Sequence, residues 1–239
     1  GLDTRLGQMV PLDLVFRDEA GRPVALGTYF DGERPVLLTM VYHDCPMLCN
    51  LILDGLTKSL KEMVWVPGEQ FEVVTVSFSP VETPELAARQ KERYLEILGK
   101  PEAAAGWHFL TGDEAEIRAL ARAVGFKYDW VEAQQTYAHP AVLAFLSPQR
   151  KITRYLQGLE YPPRDVRTAL VEASEGTVGT MLDQALLFCF QFDPSVGSYV
   201  VHATNVMKAG GVLTVLALGM MLFVFWRRER RRQMAAAVE

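Results

Sequence analysis

An α/β layer fold followed by a C-terminal membrane helix is what this 239-residue sequence predicts, and three observations predict it. Residues 35–42 (PVLLTMVY) and 71–78 (FEVVTVSF) are continuous apolar-rich runs, the pattern of strands buried on both faces. Each is followed by a stretch of helical period, so strands and helices alternate. Finally, residues 209–226 (AGGVLTVLALGMMLFVFW) run for 18 positions without a charge, at the lower limit for a spanning helix. A hydrophobic content of 49% against 22% charged residues supports a packed core and excludes wholesale disorder.

The elements follow in order. Two short strands within residues 10–26 flank the turn Asp18–Gly21 and make an N-terminal β-hairpin. After the strand at 35–42, residues 46–64 take helical period, with Leu48, Leu51, Ile52, Leu56, Leu60 and Met63 on one stripe. The second strand leads to Thr83-Pro84, where threonine caps a helix and proline occupies its first position; that helix runs to about Leu98. A short strand at 107–110 precedes a helix capped by Asp113 and ended by Gly125. Strands at 142–146 and 151–156 bracket the turn Ser147–Arg150, and a last helix at 165–173 stops at Gly176. This order matches a thioredoxin-like fold with an added N-terminal hairpin.

The predicted organisation is therefore a thioredoxin-like domain at 1–175, a bridging amphipathic segment at 176–207, a transmembrane helix at 208–226 and a basic tail at 227–239. Extending the span back to Val200 gives 27 residues, about 40 Å of helix. Residues 178–190 (VGTMLDQALLFCF) form either an apolar-faced helix at the membrane interface or a helix packed on the domain. Five arginines follow the span, so the tail is expected in the cytoplasm and the domain outside it, on the periplasmic side of the inner membrane. Export requires a signal sequence; none is visible from Gly1 onward, and its removal is expected. The whole chain carries −5 and the tail +3, leaving −8 on the rest, which argues against nucleic acid as a partner.

The chemistry is concentrated in Tyr42-His-Asp-Cys-Pro-Met-Leu-Cys-Asn50, where a buried strand hands over to a helix. Cys45 and Cys49 lie four apart, which puts both sulfurs on one face of a first helical turn. Unpaired N–H groups and the positive end of the helix dipole favour thiolate there. In an oxidising compartment such a pair is either a redox disulfide or a metal site, and thiolates suit copper. A metal held by two sulfurs needs a third ligand. Of the four histidines, His43 adjoins the motif but points away from it, His108 reads as packed on its strand, and His202 reads as interfacial. His139, in Gln135-Thr-Tyr-Ala-His-Pro140, is best placed as a ligand, the alternative being a packed histidine. It enters the 142–146 strand where thioredoxin-like folds face the cysteine loop, usually with a cis-proline. Cys189, among apolar neighbours, reads as an inert thiol, and Glu82, Glu85 and the charges of 89–96 as a solvated helix face.

Three segments in order, YHDCPMLCN, VVTVSFSPVETPE and HPAVLAFLSPQRKITRYLQG, resemble the SCO/SenC family of cytochrome c oxidase assembly proteins over residues 10–175. The resemblance implies that Cys45, Cys49 and His139 bind copper, as Cu(I) or Cu(II). It implies that the chain delivers copper to, or reduces the cysteines of, the CuA centre in oxidase subunit II. In the second role Cys45 and Cys49 are catalytic, as a thiol–disulfide oxidoreductase with Cys45 the more exposed nucleophile and Cys49 resolving. A stably bound accessory subunit of a respiratory complex is a third reading. Asn50 stands where the family commonly has proline, Met47 replaces an acidic residue and offers an auxiliary thioether, and Ser79 stands where aspartate is usual.

Overall fold

A computed structural model describes residues 1–44, 48–132 and 136–176, together with 190–193, 198–201 and residue 220. Residues 1–179 form one unit, built on a five-stranded sheet of order β5-β4-β3-β8-β9. Its parallel strands are β3 (Val36–Val41), β4 (Glu72–Ser77) and β5 (Trp107–Leu110). Strands β8 (Val142–Leu146) and β9 (Ile152–Gln157) complete it with antiparallel pairings. Every residue of β3, β4 and β8 is buried, as the unbroken apolar runs require of strands covered on both faces.

Helix α1 (Leu48–Glu62) packs against α2 (Pro84–Leu98) and α4 (Pro163–Ser174). Its buried face is Ile52, Leu53, Leu56 and Leu60, with Met63 just beyond it. Leu51, assigned to that stripe from the sequence, is 43% exposed: the helix is rotated so that Leu53 takes the inner position. Tyr94 of α2 lies over Trp107 and Phe109 of β5, anchoring α2 to one sheet face. Helix α3 (Glu114–Ala123) is followed on the other side by Val124 and Phe126, which meet Leu38, Met40 and Ala144. Gly125 ends that helix at φ +68°, and a Cβ there would lie 1.7 Å from the Asp3 carbonyl oxygen. A side chain at this position would push the N-terminal segment away. Thr83 and Asp113 flank their helices as expected but make no side-chain capping bond; Asp113 instead pairs with Arg17 at 3.0 and 3.2 Å.

The N-terminal hairpin forms from β1 (Val15–Arg17) and β2 (Pro23–Ala25). The hairpin expected around Ser147–Arg150 is β8–β9, but a third was not expected: β6 (Asp129–Val131) pairs with β7 (Thr136–Ala138) as a separate two-stranded sheet that delivers the chain to His139. The unit at 180–239 contains an antiparallel pair, β10 (Phe190–Asp193) and β11 (Ser198–Val201). Phe190, the last residue of the expected bridging helix, thus opens a strand, and Val200 and Val201 lie in a ladder rather than in an extended membrane helix. No helix among the described residues is long and apolar enough to cross a membrane. The expected span at 208–226 lies outside them apart from Met220, which is helical, and the 227–239 tail lies outside them entirely.

Candidate metal centre

Strand pairing brings the predicted ligand segments to one end of the sheet. β3 ends at Val41 and passes to the cysteine loop, while β8 starts at Val142 alongside Thr39 of β3. His139, three residues before β8, therefore emerges at the end where β3 hands over to α1. This is the carboxyl end of the parallel strands, where α/β sheets place their sites. Thr39 Oγ1 donates to the Val142 carbonyl at 3.3 Å, and the Tyr42 and Thr136 hydroxyls are 2.8 Å apart, fastening the two segments together.

Alternation along β3 then separates the two nearby histidines. Neighbouring residues point to opposite faces, so Tyr42 and His43 diverge. His43 goes under α2: it is 2% exposed and its ring packs on Phe109 at 5.8 Å. Burial pushes its pKa below the usual histidine value, opposed in part by the Glu82 carboxylate and the Leu110 backbone. Tyr42 goes to the other face and meets His139, at 6.3 Å between ring centroids. There the His139 ring is half-buried among Phe78 (5.0 Å) and Phe126 (6.0 Å), with Tyr137 packed on both Tyr42 and Phe78.

The His139 tautomer follows from its neighbour. Nδ1 lies 3.1 Å from the Pro140 carbonyl, which can only accept, so Nδ1 carries a proton and, in the neutral imidazole, Nε2 is the nitrogen with the lone pair. An imidazole held through Nδ1–H to a carbonyl is the usual second-shell arrangement of a metal-binding histidine. The His139–Pro140 peptide is trans, for no cis bond occurs among the described residues.

Cys49 is the second residue of α1, within its first turn; its side chain lies outside the described residues. Cys45 and Met47 also lie outside them, as do Cys189 and His202. Among the described residues no three His, Cys, Asp or Glu side chains are grouped to hold a metal ion. His108 is at the opposite end of the sheet, where Nε2–H donates to Glu72 at 3.0 Å and the ring stacks near Tyr29, as the packed reading expected.

One residue was misjudged. Glu82, assigned to a solvated helix face, is half-buried and accepts hydrogen bonds from the His43 and Asp44 amides and from Ser77. Its signal lay in Val76-Ser-Phe-Ser-Pro-Val-Glu-Thr-Pro84, where the resembling family also carries an acid before Thr-Pro. Helical periodicity misses a carboxylate whose partner is a loop from another strand. Glu85 is exposed, as expected, while Lys91 pairs with Glu19 at 2.9 Å.

A sequence model of the SCO1/SenC family matches residues 11–174. Among solved structures, the chain is similar to a candidate electron transfer protein of Aquifex aeolicus VF5, with 26% identity and a TM-score of 0.63 over 72% of this chain and 96% of that one. A candidate electron transport protein of the same organism shares 29% identity with a TM-score of 0.59, over 72% and 99% of the two chains. The copper-bound ScoI of Bradyrhizobium japonicum shares the fold, at 19% identity and a TM-score of 0.52 over 71% and 99%. No curated protein sequence matches the chain.

Proposed function

Because the chain belongs to the SCO1/SenC family, we propose that it is a copper metallochaperone for cytochrome c oxidase, with Cys45, Cys49 and His139 as the copper ligands. The observation that carries this reading is His139. It stands at the sheet end from which the cysteine loop departs, with Nδ1 committed to the Pro140 carbonyl and, in the neutral imidazole, the lone pair on Nε2. Two soft thiolates and one imidazole suit copper in either oxidation state. Copper is cargo here. His139 supplies a preoriented imidazole nitrogen, and the aromatic rings of Tyr42 and Phe78 limit its rotation. The Cys45 and Cys49 thiols are the ligands that a partner's cysteines displace on transfer. The intended partner is oxidase subunit II, at its CuA centre, or another respiratory-complex subunit. We place the domain on the periplasmic side of the inner membrane, anchored by residues 208–226.

The test is copper uptake by the reduced protein, measured by competition with a chromophoric Cu(I) chelator. Stoichiometric binding that His139→Ala weakens at least about 100-fold, while His108→Ala leaves it unchanged, is the expected result. A reduced wild-type protein that takes up no copper refutes the reading. The position of Cys49 in the first turn of α1 also favours a second role, as a thiol–disulfide oxidoreductase, because orphan N–H groups there stabilise thiolate. Metal-free turnover of a partner disulfide is its signature.

A further inference from the structure

On the sheet face opposite His139, the approach to the cysteine loop is held by two side chains from the α2 region. Glu82 Oε2 accepts from the His43 amide at 2.8 Å and from the Ser77 hydroxyl at 2.5 Å, and its Oε1 accepts from the Asp44 amide at 2.7 Å. Nearly two turns into α2, Gln90 Nε2 donates to the His43 carbonyl at 2.7 Å. Both backbone polar groups of His43, and the amide of the residue directly before Cys45, are thereby fixed from outside the loop. Among the described residues Gln90 Oε1 is buried without a partner, so the bond to His43 is what orients that amide. The frame behind the two side chains is rigid, since Tyr94 of α2 lies against Trp107 and Phe109.

We propose that Glu82 and Gln90 are positioning residues: they clamp the His43–Asp44 backbone and so set how tightly the cysteine loop retains copper. This inference rests on the copper-binding reading above. The clamp acts through the main chain. A carboxylate is suited to it because two amides and a hydroxyl all need acceptors, and the charged form accepts from all three at once. A glutamine at position 82 keeps the shape, yet turns an NH2 donor toward a group that is itself a donor.

The experiment compares Glu82→Gln with Glu85→Gln, which removes the same charge from an exposed position three residues on. Two quantities are read in the full chain: Cu(I) affinity by chelator competition, and the reduction potential of Cys45 and Cys49 in the metal-free protein. The clamp predicts that Glu82→Gln lowers affinity about tenfold and shifts the potential by about 30 mV, a tenfold change in the two-electron equilibrium. Glu85→Gln should match wild type in both. Equal values for Glu82→Gln and wild type, or equal shifts in the two variants, overturn the proposal. If wild type binds no copper, the copper reading fails while the potential still decides whether the clamp positions the thiols. Should Glu82→Gln not fold, Gln90→Ala, which removes the His43 carbonyl's partner alone, decides by the same two measurements.

Discussion

The two ends of the central sheet use the same residue types to opposite purposes. At the amino end of the parallel strands, Glu72 is 8% exposed at its side chain and is answered by side chains: the Arg34 guanidinium at 2.6 Å and the His108 ring at 3.0 Å. Arg34 also pairs with Asp31 and donates to the Gly68 carbonyl, closing that end into a network of charges. At the carboxyl end, Glu82 is answered by backbone amides and a hydroxyl. The histidines differ likewise. His108 spends Nε2–H on a carboxylate, whereas His139 spends Nδ1–H on a carbonyl. A carboxylate met by fixed side chains builds stability; one met by amides fixes a loop. The difference separates the histidine packed at the amino end from the proposed copper ligand more sharply than burial does.

Glu72→Ala should break the comparison at the amino end most strongly. It leaves Arg34 and His108 without their shared acceptor, and thermal or urea unfolding should register a loss of about 3 kcal/mol, the low end for breaking a buried pair because both partners keep some solvent. Copper affinity should not change. At the carboxyl end His139→Ala should reverse the pattern, costing at least about 2.7 kcal/mol of copper binding, which is the 100-fold loss above, but less than about 1 kcal/mol of stability.

Acid should distinguish the ends more finely. The buried His43 resists protonation in the folded state, so the unfolded chain binds a proton that the native one does not. Its effect on stability is absent above its ordinary value of 6.5 and grows as pH falls below it. His43→Leu should flatten the stability curve below pH 6.5, as followed by circular dichroism. Asp31 behaves in the opposite sense. Burial works against its ionisation, but the Arg34 amide and guanidinium and the Glu33 amide outweigh it and hold its pKa at about 2, against 3.8 ordinarily. Its contribution is complete above 3.8 and is lost as pH falls toward 2. Asp31→Asn should remove that acid-dependent loss, the smallest effect expected, since the group is partly exposed.

Much of this was readable from the sequence, and the reasons for what was not are physical. The runs at 35–42 and 71–78 identify β3 and β4 because a strand covered on both faces leaves no polar alternation. The turn at Ser147–Arg150 and the Thr-Pro start of α2 are local signals that tertiary structure left in place. The β6–β7 hairpin escaped because its strands are three residues long, too short for periodicity to register, and its aromatic residues serve packing around His139. Leu51 was misplaced because a helical stripe specifies a face only to within one residue. Glu82 was misread because its partners come from β3 and β4, and no local pattern encodes a contact made across the fold.

The pleat of β3 makes the count of residues between Val41 and α1 a fixed quantity. Adding or deleting one position before His43 would exchange the two sides, driving its imidazole off Phe109 and toward the face where Tyr42 meets His139. Sequence drift in this segment is therefore confined to substitution, and engineered variants that alter its length should lose both arrangements together.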